Sequence, residues 1–133
     1  MLKSSDIVQI PFPFSDLTHQ KRRPVLLLTT PDTFGDFLVA AITSQAGHDD
    51  AILLHDDDIV EGRLPKISWI RTTRLFSLNR DTVIVTLGSL KPEAFERIHK
   101  KTVRDLVVNL ANKHLFIEQS RRVRCAYTFN VRH

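Results

Sequence analysis

The chain has 133 residues, of which 42% are hydrophobic and 26% charged, with 19 Lys plus Arg against 15 Asp plus Glu. This is ordinary globular usage and enough length for one domain with its own core, which excludes a disordered chain and any need for disulfides or a structural metal to hold it together. Cys125 is the single cysteine, so a reducing compartment is expected; no apolar run nears the roughly 20 residues that cross a bilayer, MLKSSDIVQI lacks a signal-peptide core, and the expectation is a cytoplasmic protein with no membrane partner.

In chain order, Asp6 to Phe14 (DIVQIPFPF) alternates loosely and meets two prolines, which predicts a first strand ending at a sheet edge or bend. Val25 to Thr30 and Asp36 to Thr43 read as two fully buried strands joined by the turn residues of TPDTFGD. Ala51 to His55, Ser68 to Arg74 and Thr82 to Leu87 are predicted as strands four to six, with Gly62 and Leu64-Pro65 marking a turn between the fourth and fifth. Beyond Gly88 the period changes. Phe95, Ile98, Thr102, Leu106, Leu110 and Ile117 recur at helical spacing, Pro92 suits a first helical turn, and Glu93 and Glu96 complement the positive end of the helix dipole. This predicts one amphipathic helix, with a break near Lys101 left open. Strands without intervening helices predict a mainly β fold: a small, strongly curved or closed sheet with a C-terminal helix laid against it. A single domain is expected over residues 1–117. The basic tail 118–133 is expected to be poorly ordered, with an extra strand or a partner-gripping arm as the other readings.

Charge is unevenly spread. Residues 1–48 are neutral, residues 49–61 hold six acids and no Lys or Arg, residues 62–119 are basic by a similar amount, and the net +4 resides in Arg121, Arg122, Arg124 and Arg132. Net charge is therefore weak evidence for a nucleic-acid partner, and local clusters matter more. The histidines form no metal-binding spacing, Asp56-Asp57-Asp58 reads as a solvated face ahead of a cation site, and GxSxG, P-loop and GxGxxG motifs are missing, so no cofactor is expected. What remains is a set of cations and hydroxyls at strand ends. Lys21, Arg22 and Arg23 stand before Pro24 and VLLLT; Thr43 closes LVAAIT ahead of Ser44 and Gln45; Arg71 and Thr73 share one face of SWIRTTR by the period of two, with Arg74 next to them. Taken singly, each reads as a cap, a surface ion pair or a solvated cation.

Together, DIVQIPFPFSDLTHQKRRPVLLL, FLVAAITSQ, GRLPKISWIRTTRLFSL and LGSL resemble, in that order, the PemK/MazF family of type II toxins, most firmly at RRPVLLL and AAITSQ. The resemblance implies a small SH3-like barrel of the CcdB/PemK/MazF toxin type, a homodimer, metal-independent cleavage of single-stranded RNA, and control by a cognate antitoxin. It assigns catalysis to Arg23 and Thr43, with Arg71 as a second arginine; the polar residues around them, His19, Lys21, Arg22, Ser44, Gln45, Thr73 and Arg74, are expected to bind substrate. The RRP and ITSQ segments favour the ribonuclease branch over a gyrase-poisoning toxin of related fold. Two departures stand out: Ser5 replaces the glycine of an opening Gly-Asp pair, and Thr73 stands where some members carry an aspartate.

The chemistry suits these residue types. Cleavage by the 2′-OH needs donors for a dianionic phosphorane and proton transfer at two oxygens. Arginine offers planar donors and a permanent charge, which fits electrostatic stabilisation better than base catalysis. His19 is either the proton carrier or a plain surface histidine. A barrel that has lost catalysis and only binds nucleic acid or a protein partner is the alternative.

Overall fold

The computed structural model describes residues 1–11 and 21–120, with residues 112–120 described by their backbone alone. Seven strands form one antiparallel sheet: β1 (Asp6–Pro11), β2 (Arg22–Leu27), β3 (Asp36–Thr43), β4 (Ala51–Leu54), β5 (Ile59–Gly62), β6 (Ser68–Asn79) and β7 (Val85–Leu90), followed by the helix α1 (Pro92–Ser120). Their order across the sheet is β4-β6-β3-β2-β1-β7-β5. The two edge strands, β4 and β5, are consecutive in sequence and separated only by a short 3-10 turn, Asp56–Asp58. Five residue steps reach at most about 18 Å, whereas a flat sheet of this many strands would hold its edges nearly 30 Å apart. The sheet must therefore curl. Leu54 of β4 and Leu90 of β7 indeed meet in one buried cluster with Ile7, Leu26, Ile42 and Ile70, and Ile59 of β5 packs against it. The result is an open half-barrel.

The helix seals the concave side. Ala94 and Ile98 join the same cluster with Phe95 packed alongside, and Thr102 returns its hydroxyl to the Ile98 carbonyl at 2.8 Å, which satisfies a polar group that is only 4% exposed. Pro92 opens the helix as expected, and the Lys91 backbone N–H donates to Asp58 O at 2.8 Å. Arg97 adds a 3.1 Å bond to the Asp58 carboxylate. Asp58 is thus a tie between the 3-10 turn and α1, while Asp56 and Asp57 are exposed. No break occurs at Lys101, and the helix runs to Ser120. The predicted stripe holds through Leu106, which is half-buried, but Leu110 is 58% exposed because the helix has by then outrun the sheet.

On the convex side Val8, Ile10, Val25, Leu27, Phe37 and Val39 form a second cluster, with Leu2, Leu78 and Val83 against it. β1, β2 and the middle of β3 are consequently buried on both faces, which is why VLLL carries no alternation. In β3 the expectation holds only in part, since Asp36 and Leu38 are exposed.

Several boundaries differ from the sequence reading. β2 begins at Arg22 and ends at Leu27, because pairing with Ile10 and Pro11 of β1 draws the arginines into the strand. The turn expected around Gly62 is β5, paired with β7. Gly62 (φ +85°) and Gly88 permit this contact: a Cβ on Gly62 would strike the Leu87 carbonyl oxygen, and one on Gly88 the Glu61 carbonyl oxygen. These glycines allow close backbone approach, Gly62 as the last residue of β5 and Gly88 within β7. β7 accordingly continues through Gly88 to Leu90, and β6 extends to Asn79. Ser5 has φ +82°, the left-handed conformation in which a glycine would be unstrained. The end of the first predicted strand (residues 12–14), His19 and most of the tail lie outside the described residues.

Candidate active site

Arg23 sits in the first turn of pleat of β2, exposed, directly opposite Ile10 of β1. On its other side the β2–β3 ladder starts with Val25 opposite Ala41, after Pro24, which has no N–H to contribute. Continuing that register by two residues sets Arg23 across from Thr43. Both fall on the convex face, Arg23 with Val25 and Leu27, Thr43 with Val39 and Phe37. The Thr43 hydroxyl accepts the Gln45 N–H at 3.1 Å, a short-range turn that leaves its own proton to donate. Ser44 and Gln45 are exposed beside it.

Thr43 is paired in turn with Trp69 of β6. Two residues along the same face comes Arg71, because Ile70 and Thr72 point to the concave side, where both are fully buried. At this point β6 bends. Ala40 pairs with Leu75 and Ile42 with Ile70, so residues 71–74 bulge past Ala41 alone. Bulges re-aim side chains where a strand turns a corner, and here the bulge carries Arg71, Thr73 and the exposed Arg74.

The bulge is held by Asp50, immediately ahead of β4. Its Oδ1 accepts Arg71 Nε at 2.8 Å, its Oδ2 accepts Thr73 Oγ1 at 2.6 Å and the Thr73 N–H at 3.3 Å, and its backbone oxygen takes the Thr72 N–H at 2.8 Å. The Arg71 and Asp50 side chains are 21% and 14% exposed. Burial raises the Asp50 pKa, but the bonds from Thr73 and Arg71 outweigh it and hold the carboxyl at about 2. Behind the bend, Thr72 Oγ1 donates to Asp105 of the helix at 2.7 Å, and Lys101 reaches the same carboxylate at 2.8 Å; these two bonds lower the Asp105 pKa.

The structure thus brings Arg23, Thr43, Arg71 and Thr73 to one face. Arg22 alternates to the other face, with Leu26, and Lys21 is exposed just ahead of β2. None of these residues lines either of two clefts formed by described residues, one of about 440 Å³ between Leu54, His55, Ile59 and Lys66 and one of about 380 Å³ beside Ser5 and Phe95. Among the described residues no group of three or more His, Cys, Asp or Glu is placed to hold a metal ion, and no helix is long and apolar enough to cross a membrane. Asp50 escaped the sequence reading. Its only local signal was an acid abutting a short apolar strand, and its partners are more than 20 residues away.

The family described as PemK-like, MazF-like toxin of type II toxin-antitoxin system matches residues 3–104. The chain belongs to this family. No curated protein matched it. Among solved structures, an endoribonuclease in complex with its cognate antitoxin from Mycobacterial species superposes with a TM-score of 0.62 at 11% identity, covering 80% of this chain and 95% of that one. A MazE-MazF structure from Deinococcus radiodurans gives 0.61 at 16% identity, covering 83% and 96%, and MazF alone from the same organism gives 0.57 at 17%, covering 83% and 96%. These likenesses are of fold. The matched segment of this PemK/MazF toxin contains all four residues that share the convex face, and Asp50 with them.

Proposed function

We propose that this PemK/MazF toxin is an endoribonuclease that cleaves single-stranded RNA without a metal, and that Arg23, Thr43 and Arg71 form its active centre. One observation supports the reading above the others: strand alternation puts Arg23, Thr43 and Arg71 on one face, with the β2–β3 register, extended two residues beyond Val25–Ala41, leading from Arg23 to Thr43 and the β3–β6 register from Thr43 to Trp69, two residues from Arg71. A phosphodiester laid on that face meets permanent cations from two strands and a hydroxyl between them.

In this mechanism the ribose 2′-oxygen gives up its proton and attacks the adjacent phosphorus, and the 5′-oxygen departs with a proton, leaving a 2′,3′-cyclic phosphate and a 5′-OH. Arg23 donates to the non-bridging oxygens as their charge grows, Thr43 adds one hydrogen bond, and Arg71 offers its terminal nitrogens. Neither arginine is the base, because a guanidinium does not deprotonate in proteins. Lys21, Ser44, Gln45 and Arg74 hold the flanking strand. The curled sheet is the SH3-like barrel of the family. The toxin works in the cytoplasm as a homodimer and is neutralised by a cognate antitoxin whose carboxylates take the place of phosphates on the same face.

The test is incubation of the purified protein with a defined RNA in EDTA, with Arg23→Ala and Thr43→Ala beside it. Discrete fragments ending in cyclic phosphate, lost in both variants, are expected. Intact RNA that merely shifts in a gel would replace this reading with that of a binding module, and full cleavage by both variants would remove the site assignment.

A further inference from the structure

A long side chain such as arginine is a poor stabiliser of a developing charge unless something fixes its plane before the substrate arrives. Arg71 is fixed in an unusual way. The bond to Asp50 is made by Nε alone, at 2.8 Å, so the two terminal amino groups keep their protons for another acceptor. Asp50 is itself held at three points: its second oxygen accepts the hydroxyl and the N–H of Thr73, and its carbonyl accepts the Thr72 N–H. Three successive residues of the β6 bend are therefore gripped by one residue from the loop before β4.

We infer that Asp50 is a positioning residue of the cleavage reaction, acting through Arg71, whose guanidinium it orients toward the convex face that carries Arg23 and Thr43. The inference rests on the ribonuclease reading above. Asp50 is not the base of the reaction. Both its oxygens are occupied by donors, and a carboxyl whose pKa is held at about 2 has little affinity for the 2′-OH proton at neutral pH.

The experiment is a cycle of wild type, Asp50→Asn, Arg71→Ala and the double variant on one short RNA, read as kcat and KM across pH. Asp50→Asn is expected to lower kcat by about tenfold to a hundredfold, the scale of a misplaced catalytic group, with KM changed less than about threefold and the shape of the pH profile kept. In the Arg71→Ala background it should change kcat by less than about twofold. Full activity of Asp50→Asn, or of Arg71→Ala, overturns the inference. So does an equal loss from Asp50→Asn in both backgrounds, which marks a structural pin only, and so does loss of the acid limb of the profile, which would make Asp50 the base. A wild type that leaves RNA intact fails at the earlier step and brings down the ribonuclease reading itself. Should Asp50→Asn not fold, or Arg71→Ala fall below detection, the ¹⁵Nε–H resonance of Arg71 in the wild type decides: slow solvent exchange supports the clamp, and exchange as fast as that of exposed Arg74 overturns it.

Discussion

The two arginine sites share a face of the sheet but are built in opposite ways. At the start of β2, Arg22 and Arg23 are exposed and their placement follows from short-range features: a proline that stiffens the backbone, and a strand whose alternation sends neighbouring side chains to opposite faces. At the bend of β6, Arg71 is partly buried and its orientation depends on a carboxylate 21 residues away in sequence. The first site is set by the direction of its strand. The second is a network, and its parts depend on one another.

Four measurements break or sharpen that contrast. The largest effect is expected at the strand-borne site, where Arg23→Ala and Thr43→Ala should each reduce cleavage by about a hundredfold to a thousandfold, the usual loss for one donor to a developing oxyanion. Cleavage kept by either variant would take that residue out of the reaction. Next, the Asp50 carboxyl, held at about 2 instead of its ordinary 3.8, contributes on the order of 2 kcal/mol of stability. A depressed carboxylate pKa gives stability that is present above about pH 4 and lost as pH falls toward 2. Asp50→Asn should flatten the stability curve over that window, and a curve unchanged in slope would dissolve the clamp.

Thr72→Val should cost about 1 to 2 kcal/mol in chemical denaturation, because it deletes the hydroxyl bonded to Asp105 at a position with no solvent access. The equally conservative Arg22→Gln on β2 should stay within about 0.5 kcal/mol, as surface changes do. Equal costs would erase the distinction between the two regions. The smallest effect concerns salt. Lys21→Gln should reduce the slope of log affinity for single-stranded RNA against log salt by about 0.7, one phosphate contact, and Arg22→Gln, directed to the other face, should change it less. Equal changes would place both cations on the RNA.

Much of the β class was readable directly. VLLL, DFLVAAIT and SWIRTTR mark strands by composition and period, and Pro92 marks where the helix starts. The errors have identifiable causes. Gly62 reads as part of a turn and Gly88 as the end of a strand in isolation, yet Gly62 closes β5 and Gly88 lies within β7, where the two backbones approach too closely for any side chain. Leu110 keeps the helical period but is exposed, since periodicity cannot reveal how far the sheet extends beneath a helix. Thr73 looked like the loss of an acid, and its hydroxyl instead binds one supplied by Asp50.

By itself the chain of residues determined which segments become strand or helix, the family to which the protein belongs, and which cations are available for chemistry, because propensity, alternation and turn geometry act between neighbours. Only the tertiary structure decided that the edges of the sheet curl together, that Thr43 pairs with Trp69 two residues from Arg71, and that Asp50 grips the β6 bend. Those outcomes depend on strand register and on the short link between β4 and β5, which bring together groups that sequence separation keeps apart.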